Sequence, residues 1–168
     1  MLHKIHSLLF SHGMDILLSD EFGEALVQTH HNVSTVASHT LGVAVVSLVI
    51  CYLLTKLHIR TDAERMTRAA LCHDLGILGR DEKYRNNVQC CMQHPKDSVE
   101  VVRKLVGEED PVLENAVACH MWPLCLHPPK HREGVILSVA DKISSCMEVT
   151  GHCPGDALIE QVTEMRGR

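Results

Sequence analysis

The sequence predicts an all-α domain, a compact bundle of about five to seven helices. Three observations carry that expectation. Helix start and stop signals recur along the chain, and apolar residues repeat at helical spacing between them. No Asn-Gly or Asp-Gly hairpin turn separates alternating segments anywhere.

Taken in order, residues 1–29 offer one weak helical pattern. Leu41 to Leu54 is an uncharged run, rich in valine as a strand would be. Its length and lack of alternation favour a buried core helix. It falls short of the roughly 18–20 residues that cross a bilayer, and it contains Ser47 and Tyr52. Thr61-Asp62-Ala63-Glu64 reads as a capping box, with Thr61 as N-cap and Glu64 reaching back. The helix it starts passes through Arg65, Met66, Ala69, Ala70 and Leu71 to about Asp74, with Gly76 as a left-handed stop. His94 stands at an N-cap before a first-turn Pro95, Asp97 suits the positive end of the dipole, and Gly107 closes that helix. Asp110-Pro111 repeats the start signal for a helix carrying Leu113, Ala116, Val117 and His120. Arg132 to Val149 is long and periodic, with Val135, Ile136, Val139, Ala140, Ile143 and Met147 on one face. Residues 156–166 give a last, weaker helix.

The 168 residues suit a single domain spanning 1–168. A chain that is 45% hydrophobic and 22% charged is too apolar for a disordered tail. With 16 Lys and Arg against 21 Asp and Glu, no basic excess argues for a DNA-binding or anionic-membrane surface. Eight cysteines without any C-x-x-C pair support neither a disulfide scaffold nor a zinc module. Reduced thiols acting partly as small buried hydrophobes are expected. The first ten residues lack a signal-peptide pattern, so a cytoplasmic location is expected. The thirteen histidines are the compositional anomaly, and they direct attention to metal ligation or proton chemistry.

Asp141 lies among apolar neighbours on the 132–149 helix. A carboxylate there is unfavourable unless it is paired or bound to a cation. His73-Asp74 closes the apolar turn Ala69-Ala70-Leu71-Cys72. Adjacent helical side chains diverge by about 100°, so the two converge only on something beyond the helix end. A metal ion does this, taking an imidazole nitrogen and a carboxylate oxygen. His39, His94 and His120 complete an ordered set at the ends or buried faces of the central helices. Helical bundles build metal sites in this way, from side chains projecting inward off facing helices. His3, His6, His12, His58 and His152 read as surface or connecting residues, and His127 and His131 as parts of a solvated loop. His30 and His31 are candidates for orienting a ligand.

The order His39, His73-Asp74, His94, His120, Asp141 resembles the HD-domain metal-dependent phosphohydrolase superfamily over roughly residues 27–149. The resemblance extends to Gln28-Thr-His-His-Asn-Val-Ser, Ala70-Leu-Cys-His-Asp-Leu-Gly, His94-Pro-Lys, His120-Met-Trp-Pro-Leu and Ala140-Asp-Lys. It implies an HD-like helical bundle and one or two divalent ions (Fe, Mn, Zn, Co or Mg) held by His39, His73, Asp74, His94, His120 and Asp141. It further implies a phosphohydrolase acting on a small phosphorylated, nucleotide-like substrate, with a homodimer as one arrangement. Asp74 and Lys142 are the expected catalytic residues, and Lys96 and Arg80 the expected phosphate partners. Three departures stand out. Met-Trp-Pro replaces the Gly-Tyr-Pro of relatives that cleave cyclic dinucleotides, Met121 stands where some relatives have a second histidine, and Ile77 replaces a common lysine. An HD-type diiron oxygenase and a metal-binding module without catalysis are the alternative readings.

Overall fold

A computed structural model describes residues 1–30, 34–107 and 109–167. Among them are nine α-helices, more than expected because the N-terminal pattern breaks in two and a one-turn helix forms at Arg80–Lys83. Helix α1 (Leu2–Leu17) ends where Ser19 caps α2 (Asp20–Val27), its hydroxyl accepting from Phe22 N. A short antiparallel ribbon pairs Thr29 with Thr35 and His30 with Ser34. Then come α3 (Val36–Lys56), α4 (Ala63–Cys72), a 3-10 turn (Leu75–Ile77) and the one-turn α5 (Arg80–Lys83). The chain finishes with α6 (Asn87–Val106), α7 (Pro111–Ala118), α8 (Arg132–Val149) and α9 (Asp156–Arg166).

Helix α3 is the axle of the molecule. It is apolar all round, and helices of that kind are stable only when other elements cover them. Helices α4 and α8 supply the cover, with α1 packed behind α4 and α7 behind α8. The run Leu41, Val43, Ala44 is wholly buried. By length and composition α3 matches a membrane-crossing helix, and here it is largely enclosed by the domain.

Four expectations are corrected locally. The N-cap of α4 is Asp62, whose carboxylate accepts from Arg65 N at 2.9 Å and also pairs with the Arg65 guanidinium. A carboxylate outcompetes Thr61, so the helix starts one residue later. Gly76 is no left-handed stop; it sits in the 3-10 turn because a Cβ there would lie 2.3 Å from Ser98 N and 2.6 Å from His94 O. The turn therefore rests directly on the backbone of α6. That helix starts at Asn86, whose side chain accepts from Gln89 N, so Pro95 is interior and His94 is no cap. Proline leaves the carbonyl four residues back without its helical donor; Cys125 Sγ approaches that Cys91 oxygen at 3.7 Å. Gly107, with φ of 72°, closes α6 as expected.

The fourth correction concerns α8. Val135, Val139 and Ile143 lie on its solvent side, between 41% and 44% exposed. The buried residues include Ile136, Leu137, Ser138, Ala140, Asp141, Ser144 and Glu148. Four of these are polar, and they displace the apparent apolar face.

Candidate metal centre

Four helices and one turn deliver the ligand-type residues to a single buried point. His39 belongs to the first turn of α3, where Thr35 caps by accepting from Ser38 N at 3.1 Å. His73 is the C-cap of α4 and Asp74 follows as the chain leaves the helix. His94 projects from mid-α6, His120 from just beyond α7, and Asp141 from mid-α8. All six are buried.

The Asp74 carboxylate is the centre of the arrangement. Its Oδ2 faces His39 Nε2 and His73 Nε2, both at 3.7 Å. Its Oδ1 faces His94 Nε2 at 3.1 Å and His120 Nε2 at 3.4 Å. Asp141 Oδ1 joins the first group, 3.2 Å from His39 Nε2 and 4.0 Å from His73 Nε2. On the other side the two Nε2 atoms of His94 and His120 are 2.9 Å apart. Ligands about 2.0–2.2 Å from one ion stand roughly 3.0–3.5 Å from each other, so both groups have the spread of a ligand set. His39, His73 and Asp74 form one set and Asp74, His94 and His120 a second.

Each ring is aimed by its far nitrogen. His73 Nδ1 donates to Ala70 O at 2.7 Å, His94 Nδ1 to Cys90 O at 2.8 Å, and His120 Nδ1 to Val117 O at 2.6 Å. His39 Nδ1 instead donates to Glu148 Oε1 at 2.7 Å. Glu148 in turn accepts from Ser34 Oγ at 2.8 Å. Such outer hydrogen bonds settle the tautomer and present Nε2 to a cation.

The electrostatics fit a cation. Burial pushes His73 down to about 4, with the His120 and His39 imidazoles adding to it and Asp74 opposing. The ring is then neutral with its proton on Nδ1. Its Nε2 lone pair is buried with no hydrogen-bond partner among the described residues, beside two carboxylates. A divalent ion satisfies that atom where a proton does not. Burial also opposes charge on His39 and His94. Hydrogen bonds that His39 donates to Asp141 and Glu148 outweigh it there, and the one His94 donates to Asp74 outweighs it at His94, so each is pushed up to about 10. Burial works against ionisation of Asp141, yet the His39 hydrogen bond and the nearby imidazoles hold its carboxyl well below the usual range. Without an ion, protons on His39 and His94 stand in for its positive charge.

The centre floors a cavity of about 320 Å³. Lys142 Nζ, at its edge, donates to His120 O at 2.6 Å and to Asp141 Oδ2 at 3.1 Å. Arg80 lines the same cavity and donates to Asn87 Oδ1 at 2.8 Å. Lys96 does not reach it. Two residues beyond His94, it is turned about 200° round α6 and is exposed in a separate groove with Glu100 and Glu114. Gln28 clamps the turn after Asp74, its Nε2 donating to Ile77 O and its Oε1 accepting from Gly79 N. His127 and His131 are exposed, and His31 lies outside the described residues.

Glu148 escaped the reading of the sequence. Its signal was available, since it stands seven residues after Asp141, two helical turns along the same face. Assigning the inward stripe of α8 to apolar residues concealed it.

A family model described as the HD domain matches residues 36–146. No curated protein and no solved structure matches the chain. The matched span contains His39, His73-Asp74, His94, His120 and Asp141, the residues that meet at the buried cluster, and the chain belongs to the HD-domain family.

Proposed function

We propose that the protein is a metal-dependent phosphohydrolase whose ions are held by His39, His73, Asp74, His94, His120 and Asp141. One observation carries the reading: the two oxygens of Asp74 face two separate groups of Nε2 atoms. His39, His73, Asp74 and Asp141 would hold one ion, and Asp74, His94 and His120 a second, with Asp74 common to both groups. When bound, divalent ions supply a water acidified toward a pKa of about 7 and a Lewis-acid grip on phosphoryl oxygens. Two such ions against two carboxylates leave a charge of about +2, which suits a phosphate ester. The mixed imidazole and carboxylate set accepts Mn, Fe, Co or Zn, and Mg through its oxygens.

The chain's own groups do the rest. Lys142, held against Asp141 and His120 O, places an ammonium at the rim where a phosphate would enter. Arg80 offers a second cation along the same cavity. The Nδ1 hydrogen bonds of His94 and His120 to Cys90 O and Val117 O turn both Nε2 atoms toward Asp74, where an ion would displace the His94 Nε2 proton.

The test is a screen of purified protein with Mn²⁺, Fe²⁺, Co²⁺, Mg²⁺ and Zn²⁺ against phosphomonoesters, phosphodiesters and nucleotides. Turnover dependent on metal is expected, and its absence with every ion would overturn the reading. Asp74→Ala should lose both metal and turnover while keeping the helical circular dichroism of the parent. His94→Ala/His120→Ala should retain about one ion per chain where the parent holds about two, by elemental analysis after desalting.

A further inference from the structure

The cavity above the cluster is chemically lopsided. Its floor is Asp74, His94 and Asp141, and its cations are Arg80 and Lys142. The remaining wall is Ile77, Cys90, Cys91, Met121, Leu124 and Cys146. Free cysteines and methionine behave as adaptable apolar surface. Besides the floor and the two cations, the polar lining among the described residues is Asn87 and Ser145, and the Asn87 carbonyl oxygen already accepts from Arg80. Among the described residues no Phe, Tyr or Trp lines the cavity to offer a base a stacking face.

The surroundings also disfavour a substrate with several phosphates. Arg80 and Asn87 form a sill between this cavity and an outer, polar chamber of about 610 Å³. Asp81 and Glu82 line that chamber, so a second phosphate leaning outward would meet two carboxylates. Sugar hydroxyls left in the inner cavity would lose water and find few partners, each unpaired one weakening binding by roughly tenfold or more. A volume of about 320 Å³ is at the small end of ligand sites, which run from about 300 to 1,000 Å³.

We infer that the substrate is a phosphomonoester of a compact apolar alcohol, with its phosphate on the His/Asp floor and its alkyl, alkenyl or aryl group against Ile77, Cys90, Cys91, Met121, Leu124 and Cys146. This rests on the phosphohydrolase reading and narrows its substrate away from nucleotides. In the reaction, the oxygen of water bonds to phosphorus and the phosphorus–oxygen bond to the alcohol breaks. The alcohol oxygen leaves with the bonding electrons and takes a proton that originated on that water, giving free alcohol and inorganic phosphate.

The test separates recognition from turnover. Calorimetry with saturating Mn²⁺ measures binding of methyl-, butyl- and hexylphosphonate, which have no hydrolysable ester, with AMP and glucose 6-phosphate as competitors. Affinity should rise roughly two- to fourfold per added methylene until the wall is covered, as expected for burying apolar carbon. Both competitors should bind more weakly than butylphosphonate. Leu124→Asn, at an exposed position that the fold does not depend on, should flatten the series. A flat series in the parent, no phosphonate binding, or AMP binding tighter than every phosphonate would overturn the inference. Chain-length-dependent binding without hydrolysis of the matching alkyl phosphates would uphold this specificity and remove the phosphohydrolase reading instead.

Discussion

Glu148 shows how far the candidate metal centre rests on a residue outside its ligand-type groups. It accepts the His39 Nδ1 proton at 2.7 Å and the Ser34 hydroxyl at 2.8 Å, tying the start of α3 to the end of α8. Outer carboxylates of this kind typically change metal affinity by about 10–100-fold. Glu148→Gln should therefore weaken Mn²⁺ binding by about that factor while preserving thermal stability better than Glu148→Ala. Metal titrations beside melting curves of the two variants check it; equal affinity in parent and Glu148→Gln would remove the role. At this scale the sequence was informative about residue type and order. The six ligand-type residues converge as their motif implied, because each stands where a helix ends or turns inward. Direction was harder to read. Lys96 follows His94 closely in sequence, yet helical rotation carries it to another face.

At the scale of elements, the site depends on how closely the turn after Asp74 rests on α6. Gly76 has backbone of α6 where its side chain would be, and its N–H donates to Ser98 Oγ at 3.0 Å. Gly76→Ala should push the turn away from α6, separating Asp74 from His94. Overpacking of this kind costs about 1–3 kcal/mol, so a lower melting temperature is expected together with lost metal, mainly from the His94 and His120 side. Calorimetry and ion counts on one preparation test both effects. The sequence displayed the glycine but not its reason, because close approach between distant segments leaves no local signature. The same limit hid the start of α6. Pro95 resembles a first-turn proline by every local rule, and only the Asn86 cap shows that it interrupts a helix already formed. By contrast, Asp110-Pro111 and Gly107 were legible because those caps are made within a few residues, Asp110 accepting from Val112 N and Leu113 N.

For the whole molecule, the buried cluster sets how stability follows pH. His73 is held near 4 against an ordinary 6.5, so the unfolded chain takes up its proton first and stability falls as pH drops from about 6.5 toward 4. Asp141, held below its ordinary 3.8, adds a further loss at lower pH. His39 and His94, pushed up to about 10, contribute fully below 6.5 and lose that contribution as pH rises from 6.5 through 10. The metal-free protein should therefore melt highest near pH 6.5. Added Mn²⁺ should raise the alkaline limb most, because there it no longer competes with protons for His39 and His94. Melting curves across pH, in chelator and in Mn²⁺, measure both limbs; a metal-free profile still rising above pH 8 would contradict the assignment.

The aiming of His73, His94 and His120 by the carbonyls of Ala70, Cys90 and Val117 has an evolutionary consequence. A main-chain oxygen survives every substitution of the residue that bears it. Side chains at these three positions can drift, within the limits of packing, without releasing the rings they orient. His39 has no such insurance at Nδ1, since its acceptor is a side chain that a single mutation removes. Mutational tolerance around the cluster should therefore be lopsided: wider at positions 70, 90 and 117, within what their buried packing allows, than at 148, where only a side chain with an oxygen acceptor at the same point restores the bond. A lineage relaxing its need for metal would show the loss at Glu148 before the other three supports register any change.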